Sequence, residues 1–418
     1  MFDTAWDQWG VVAVELGVGD SRNPTKVGTW GTSHWGDPTD ALWSGLEPLW
    51  VDITCDVRRV RIGRGVDYTT NRFPTSTCQV VADNASGWAT AAGGSLLDVR
   101  PGRALRVLGR ATDSGVLSPL WQGYIDDLSP LYDPEARPVV VLNSVDALSV
   151  LAAQDGLEVP PVGAGGLSGA RITRRLVLVG WPATWRDIAA GQVAMQATNL
   201  ARNLADEAGV TADSEGGAVF ATRDGLIAFR DRDWWRTASP AVSWTIGTVP
   251  EADACPTRLD VTYSADDVVS IVDLANSGGT VHRYMDGAAY SRYGPATFRR
   301  FDLICQDESQ LDVLGGRILA VRGVSGRRVR GCDLSLLGDT KHPAAMFAAL
   351  DYGQRVRLAA QLQDDTSIDQ VMLVTQADMD ITPQDWTVRI GLENAAPYTP
   401  VKAWGSARWG IDTWSSAA

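Results

Sequence analysis

Apolar and polar positions alternate along much of this chain, the period of a half-buried β-strand. In VDITCDVRRVRIGRG, residues Ile53, Cys55, Val57, Val60 and Ile62 are the apolar set, with a slip between Val57 and Val60 that predicts a β-bulge. Gly63-Arg64-Gly65 then reads as a turn. STCQVVADNASG is a second strand ending at the Asp83-Asn84 turn. RALRVLGRA, LWQGYIDDLSP and RPVVVLNSVDALSVL supply three more, each bounded by Pro, Gly or Asp. Short strands at this spacing predict a barrel or a sandwich. Asp146 opens a short helix, Ala147 to Ala153.

The period then changes. Residues 154–166 (QDGLEVPPVGAGG) form a Pro/Gly-rich connector, with Gly163-x-Gly165-Gly166 as linker rather than phosphate loop. Ser168 is placed to cap a helix through Val179 that aligns Ile172, Leu176 and Val179. A second helix is predicted from about Gln196 to Ala208, with Leu200 and Leu204 four apart and Gly209 as its stop. AVFATRDGLIAFR gives two β runs around Arg223-Asp224-Gly225, a hairpin signal. After Pro250 the strand pattern returns in RLDVTYSADDVVSIVDLANS, RRVRGCDLSLL, QRVRLAAQL, DQVMLVTQADMDITP and WTVRIGLEN. Helices over Glu308 to Val321 and after Pro343 interrupt it.

The fold class expected is therefore mainly β with an α+β insert: two β-barrel or sandwich domains joined by a smaller α+β domain. The boundaries fall at 1–50 (a strand at 11–18 plus a Trp-rich arm), 50–153 (first β domain), 154–250 (middle domain), 251–395 (second β domain with helices) and 396–418 (Trp-rich tail).

Trp30-Gly31-x-x-x-Trp35-Gly36 and Trp404-Gly405-x-x-x-Trp409-Gly410 share one spacing, each followed by a further tryptophan, Trp43 or Trp414. Two occurrences do not make a solenoid. Two readings stand for these six residues. They are aromatic anchors that pack on the body or on a neighbouring subunit, since an indole buries a large area at low entropy cost; or they form a surface that stacks cell-wall glycan.

Composition narrows the classes. At 418 residues the chain exceeds the roughly 250–300 residues one core sustains, so three or four compact units are expected. With 45% hydrophobic and 21% charged residues it is ordinary globular material. A net charge of −13 argues against general nucleic-acid binding, which needs clustered Lys and Arg. No apolar run is long enough to span a bilayer, and the start at Met1-Phe2-Asp3 lacks the features of a signal peptide, so synthesis in a bacterial cytoplasm is expected. The five cysteines, Cys55, Cys78, Cys255, Cys305 and Cys332, are scattered and odd in number, which predicts small buried hydrophobes rather than a disulfide framework.

Candidate chemistry is sparse. His34, His282 and His342 lie far apart with no metal-ligand spacing, so no metal, cofactor or catalytic residue is assigned. The acidic pairs Asp126-Asp127, Asp266-Asp267, Asp364-Asp365 and Asp378-x-Asp380 read as solvated turns. Sequence adjacency does not set two carboxylates across a sugar as a glycosidase requires, which leaves a glycan hydrolase as the weakest alternative.

An ordered set of short motifs runs along the chain. It comprises Trp50-x-Asp52-Ile53-Thr54, Val57-Arg58-x-Val60, Arg64-Gly65, Ala82-Asp83-Asn84 before Gly87, Pro101-Gly102-Arg103, Gln122-Gly123-Tyr124-Ile125 and Asp146-Ala147-x-x-x-Leu151. Further along come Arg171-Ile172, Gly180-Trp181-Pro182, Asp224-Gly225, Ser291-x-Tyr293-Gly294, the helix after Asp307 and Ile381-Thr382-Pro383-x-x-Trp386. This ordered set resembles the hub or minor tail proteins of phage tails, of the actinobacteriophage type, over most of residues 11 to 395. It implies a non-enzymatic virion protein of the tail tip, a trimer whose six tube-like domains close the tail tube. The distal tail protein, the tape measure and receptor-binding or spike proteins would be its neighbours, and DNA would pass through a channel that acidic side chains keep from sticking. The stretch between Val18 and Trp50 departs from the family's common form as an insertion. The appended hydrolase or spike of larger relatives is not expected, as the sequence stops at Ala418.

Overall fold

The computed structural model of the chain describes residues 12–18, 49–66, 72–89, 99–110, 115–131, 137–154, 158–200, 203–238, 241–262, 268–323, 328–335, 343–362 and 366–398. The first β region holds β1 (Val12–Val18), β2 (Leu49–Asp52), β3 (Val57–Gly63), β4 (Thr77–Asp83), β5 (Ala104–Gly109), β6 (Ser118–Leu131), β7 (Val139–Val145) and helix α1 (Ala147–Ala152). The middle holds β8 (Glu158–Val162), α2 (Ser168–Leu178), β9 (Arg186–Ile188), β10 (Thr198–Leu200), α3 (Leu204–Glu215), β11 (Ala218–Ala221), β12 (Ile227–Arg230) and α4 (Trp234–Thr237). Then follow β13 (Val242–Gly247), β14 (Arg258–Thr262), β15 (Ile271–Asn276), β16 (His282–Met285), α5 (Gly287–Tyr293), β17 (Thr297–Leu303) and α6 (Ser309–Arg322). The last are β18 (Arg328–Ser335), α7 (Pro343–Ala349), β19 (Arg355–Gln361), β20 (Ser367–Ile381) and β21 (Trp386–Asn394).

The chain is mostly β, with an α+β middle. Thirteen strands from both β regions join one sheet in the order β14-β18-β21-β20-β3-β4-β7-β6-β5-β1-β2, with β19 on β20 and β13 on β19. Within one chain this path is open, ending at β14 and β2, so the barrel alternative does not form among the described residues. The strands form because alternate positions are apolar: on β4 Cys78, Val80 and Ala82 are buried, and on β7 Val140 and Leu142. The slip predicted after Val57 is present, as the β3–β4 register shifts between Val57 and Arg59. One apolar core follows this sheet through both regions, from Val14 and Val60 to Leu358 and Ile390.

The same pairing order occurs twice. In the first region β1-β5-β6-β7-β4-β3 are successive neighbours; in the second, β13-β19-β20-β21-β18-β14. Both halves carry the same local devices. Gly102 and Gly353 take positive φ, 92° and 76°, conformations open to glycine. Gly102 N donates to Ile125 O and Ile125 N to Arg103 O, just as Gly353 N donates to Val374 O and Val374 N to Gln354 O. A register shift follows at once on each long strand, between Ile125 and Asp127 and between Val374 and Gln376. One difference remains: β1 runs antiparallel to β5, whereas β13 runs parallel to β19.

The middle elements pack a separate core of Leu148, Leu151, Ile172, Leu176, Leu204, Ile227 and Phe229. The predicted hairpin is present, with Gly225 at φ 82°. Three local expectations need correction. The second helix begins at Leu204, not Gln196, because the Asn203 side chain accepts from Asp206 N, while Thr198–Leu200 pairs with Glu158–Val162 inside the predicted connector. Gly209 lies within that helix, whose left-handed stop is Gly216. Ser168 is the first helical residue rather than the cap, and its hydroxyl donates to Glu215 Oε2 at 2.9 Å. Beyond the predictions, residues 268–323 form a small sheet, β16-β15-β17, that packs with α6 against Val193, Met195 and Val210 of the middle.

Candidate assembly surface

The large sheet has one apolar face and one polar face. On β3, Val57, Val60 and Ile62 turn inward and Arg59 and Arg61 outward; on β20, Ala377, Met379 and Ile381 turn inward and Asp378 and Asp380 outward. These two strands come from opposite ends of the sequence and pair antiparallel, Ile62 with Met379, Arg61 with Asp380 and Val60 with Ile381. The junction continues as Ala377 N donates to Arg64 O at 2.8 Å and Val66 N to Thr375 O at 3.1 Å.

Side chains tie the outward face together across strands. Gln79 Nε2 donates to Asn143 Oδ1 at 3.0 Å, and Asn143 Nδ2 to Asp127 Oδ2 at 3.4 Å. Arg59 binds both oxygens of Asp380, and Arg61 Nε lies 3.5 Å from Asp380 Oδ2. Arg389 Nη2 donates to Asp260 Oδ2 at 2.6 Å. The result is a polar ladder from β6 to β14 that crosses the β3–β20 junction.

The face is concave, enclosing about 790 Å³. Arg61 and Arg389 line it together with Asp126, Asp333, Asp378 and Asp380, so carboxylates outnumber guanidinium groups. Their settings differ. Hydrogen bonds from Arg59 hold the Asp380 carboxyl below the usual range, and the Ser129 hydroxyl, 2.7 Å away, does the same for Asp127. Burial pushes Asp378 up, against the opposing pull of bonds from Gln376 and the Arg64 backbone. Beneath the junction Arg64 is buried, its guanidinium 4.6 Å from the centre of the Tyr352 ring and 3.3 Å from Asp351 Oδ1.

Two of the four acidic pairs singled out in the sequence, Asp126-Asp127 and Asp378-x-Asp380, thus meet on one face; they lie on strands rather than in turns. Asp266-Asp267 and Asp364-Asp365 lie outside the described residues. So do the candidate contact residues Trp30, Trp35, Trp43, Trp404, Trp409 and Trp414, together with His34 and His342. His282 faces Glu308, Nε2 to Oε2 3.2 Å. Among the described residues no cluster of His, Cys, Asp or Glu is arranged to hold a metal ion, and no helix is long and apolar enough to cross a membrane.

The cysteines are free, and Cys78, Cys305 and Cys332 are buried as expected, with burial pushing the thiols up, to about 11 for Cys305 and about 12 for Cys332. Cys55 is exposed and Cys255 half-buried, against the expectation. Cys55 falls in a 3-10 turn, Thr54–Asp56, where strand alternation no longer assigns a face. The β3–β20 junction itself escaped sequence reasoning. Its signal is the pairing of an Arg-x-Arg strand with an Asp-x-Asp strand, legible only once the two are known to be neighbours.

This open, twice-repeated and largely antiparallel sheet with an α+β middle is a fold shared with solved tail proteins. A tail protein from Neisseria meningitidis MC58 shares it with a TM-score of 0.57 at 13% identity, over 84% of this chain and 97% of that one. A 43 kDa tail protein of prophage MuSo2 from Shewanella oneidensis shares it with a TM-score of 0.58 at 10% identity, over 93% and 99%. No family model matches the sequence, and no curated protein does.

Proposed function

We propose that this chain is a structural, non-enzymatic protein of a phage-type tail, a hub that closes the tail tube at its tip as a trimer. The observation that carries the reading is the doubled pairing order within one continuous sheet. A subunit with two equivalent β units, near 11–153 and 242–395, the second starting at β13 ahead of its expected bound at 251, can match a sixfold tube with three copies. Shared fold with two tail proteins over most of the chain supports the same reading. In the ring, the concave face with its acidic excess lines the passage, where negative charge repels the DNA backbone. The distal tail protein, the tape measure and receptor-binding or spike proteins are its neighbours in the virion. The tryptophans of the two chain ends serve as anchors on those neighbours.

Imaging of particles by cryo-electron microscopy tests this directly. Threefold density at one end of a tube, accommodating three copies of the chain, is the expected result. A chain that stays monomeric at micromolar concentration and never associates with tubes overturns it.

A further inference from the structure

The doubled pairing order contains one junction that is made and one that is open. The made junction seats β3 on the outer side of the second half of β20. In the repeat, β14 stands where β3 stands, and β6 stands where β20 stands. Among the described residues β14 has a strand on one side only, and so does the second half of β6. We propose that these two edges are partners between copies: β14 of one subunit pairs antiparallel with the end of β6, near Leu131, of a second copy of this chain. The inference rests on the hub reading for the closure of the ring, and on the repeat alone for the identity of the edges.

The register follows from the ladders. Asp127, Asn143, Gln79 and Arg61 stand opposite one another across β6, β7, β4 and β3. Gln376, Gly391, Gly331 and Asp260 do so across β20, β21, β18 and β14. Asp260 therefore occupies the place of Arg61. Counting four residues on from Asp127 and from Gln376, Leu131 occupies the place of Asp380. Since Arg61 faces Asp380 within the chain, Asp260 faces Leu131 between chains. Leu131 is an apolar side chain left 56% exposed at the end of a strand, and this contact covers it.

Among the described residues this pairing is not made inside one subunit. Seven strand steps separate β14 from β6, about 34 Å along the sheet at roughly 4.8 Å a step. A contact between two different edges is head-to-tail, the kind that closes into rings when the rotation allows. Pro130 tunes it. Ala377 N points to β3, so by the two-residue period Met379 N does as well, and Pro130 is the counterpart of Met379. The missing N–H of Pro130 thus faces the open edge. The pairing between copies has one donor fewer than the pairing within the chain, and the free edge is a poorer template for unrelated strands.

By the same parity Asp380 and Arg61 form a non-hydrogen-bonded pair, the closer kind, so cysteines at the counterpart positions fall within disulfide reach. Full-length Leu131→Cys and Asp260→Cys variants are mixed and oxidised, with each single variant alone controlling for the exposed Cys55. The expected product is a covalent dimer that neither variant forms alone. In parallel, Leu131→Asp sets like charges opposite each other and loses the oligomer on light scattering, while Leu131→Lys retains it. Oligomers that form without the mixed disulfide and tolerate Leu131→Asp overturn this inference and leave the hub reading intact. A wild-type chain that neither oligomerises nor joins tubes overturns both.

Discussion

Arg59 and Asp380 are 321 residues apart in sequence, yet Arg59 Nε lies 2.8 Å from Asp380 Oδ1 and its Nη2 binds the other oxygen. The pair sits on the junction where the two β regions become one sheet. Both side chains are about a third exposed or more, so screening limits their worth to about 0.5–1 kcal/mol. A double-mutant cycle with Arg59→Ala and Asp380→Ala, read by urea unfolding, is expected to return a coupling energy of that order. Because Asp380 is held below its ordinary value, the contribution is present above that value and lost as pH falls through the depressed one. A coupling that persists in strong acid contradicts the assignment.

Asp146 behaves in the opposite sense. Its carboxylate is buried, caps α1 through Leu148 N at 2.9 Å and accepts from Ser76 N at 2.6 Å and Ser76 Oγ at 2.7 Å. The Ser76 hydroxyl in turn accepts from Trp121 Nε1 at 3.0 Å. Burial outweighs these bonds and pushes the carboxyl up to about 6. A raised folded-state value means the native protein holds the proton longer, so stability declines as pH climbs from about 4 through 6. Asp146→Ala leaves two buried N–H groups without acceptors and is expected to cost about 2–4 kcal/mol. Urea midpoints across this pH range measure both effects; a flat profile identical to that of Asp146→Asn refutes the first.

How far the sequence alone reaches can be seen at three places. The strands of the large sheet are legible because one face is solvated: Val80 and Ala82 alternate with Gln79 and Val81. The start of α3 is not, because Leu200 and Leu204 match a helical spacing while the cap is set by Asn203 and by pairing to a distant strand. Gly209 resembles a stop but packs its bare Cα near Arg72, whose Cζ lies 3.3 Å from where a Cβ would be. The acidic pairs could be named from the sequence, but their meeting on one face depends on the β3–β20 pairing, a non-local contact that no local period encodes.

Glu215 anchors the middle region to its neighbours. Fully buried at the end of α3, it accepts from Val193 N at 2.9 Å, Gln192 N at 3.2 Å and the Ser168 hydroxyl, and faces Arg232 Nε at 3.3 Å. Removing it leaves a buried guanidinium uncompensated, which costs about 3–5 kcal/mol. Glu215→Ala is expected to lower the thermal midpoint sharply, and the double variant Glu215→Ala with Arg232→Met to recover part of the loss. If the double variant is no more stable than the single one, the ion pair is not the source of the effect.

Gly315 and Gly316 are adjacent on α6 and should respond in opposite directions to the same substitution. At Gly315 a Cβ would overlap the Tyr284 ring, and that ring is held by its hydroxyl bond to Asp312 Oδ1 at 2.7 Å. Tyr284 lies on β16, so the helix approaches the small sheet as closely as it does only because residue 315 has no side chain. Gly315→Ala must push the helix outward or break the tyrosine bond, a loss of about 1–3 kcal/mol by overpacking. At Gly316 a Cβ would meet nothing within 4 Å. Alanine there adds helix propensity and restricts the unfolded chain, a gain of about 0.5–1 kcal/mol. Thermal unfolding of the two variants beside the wild type decides the matter. Equal responses would mean that α6 does not rest on β16 through Gly315.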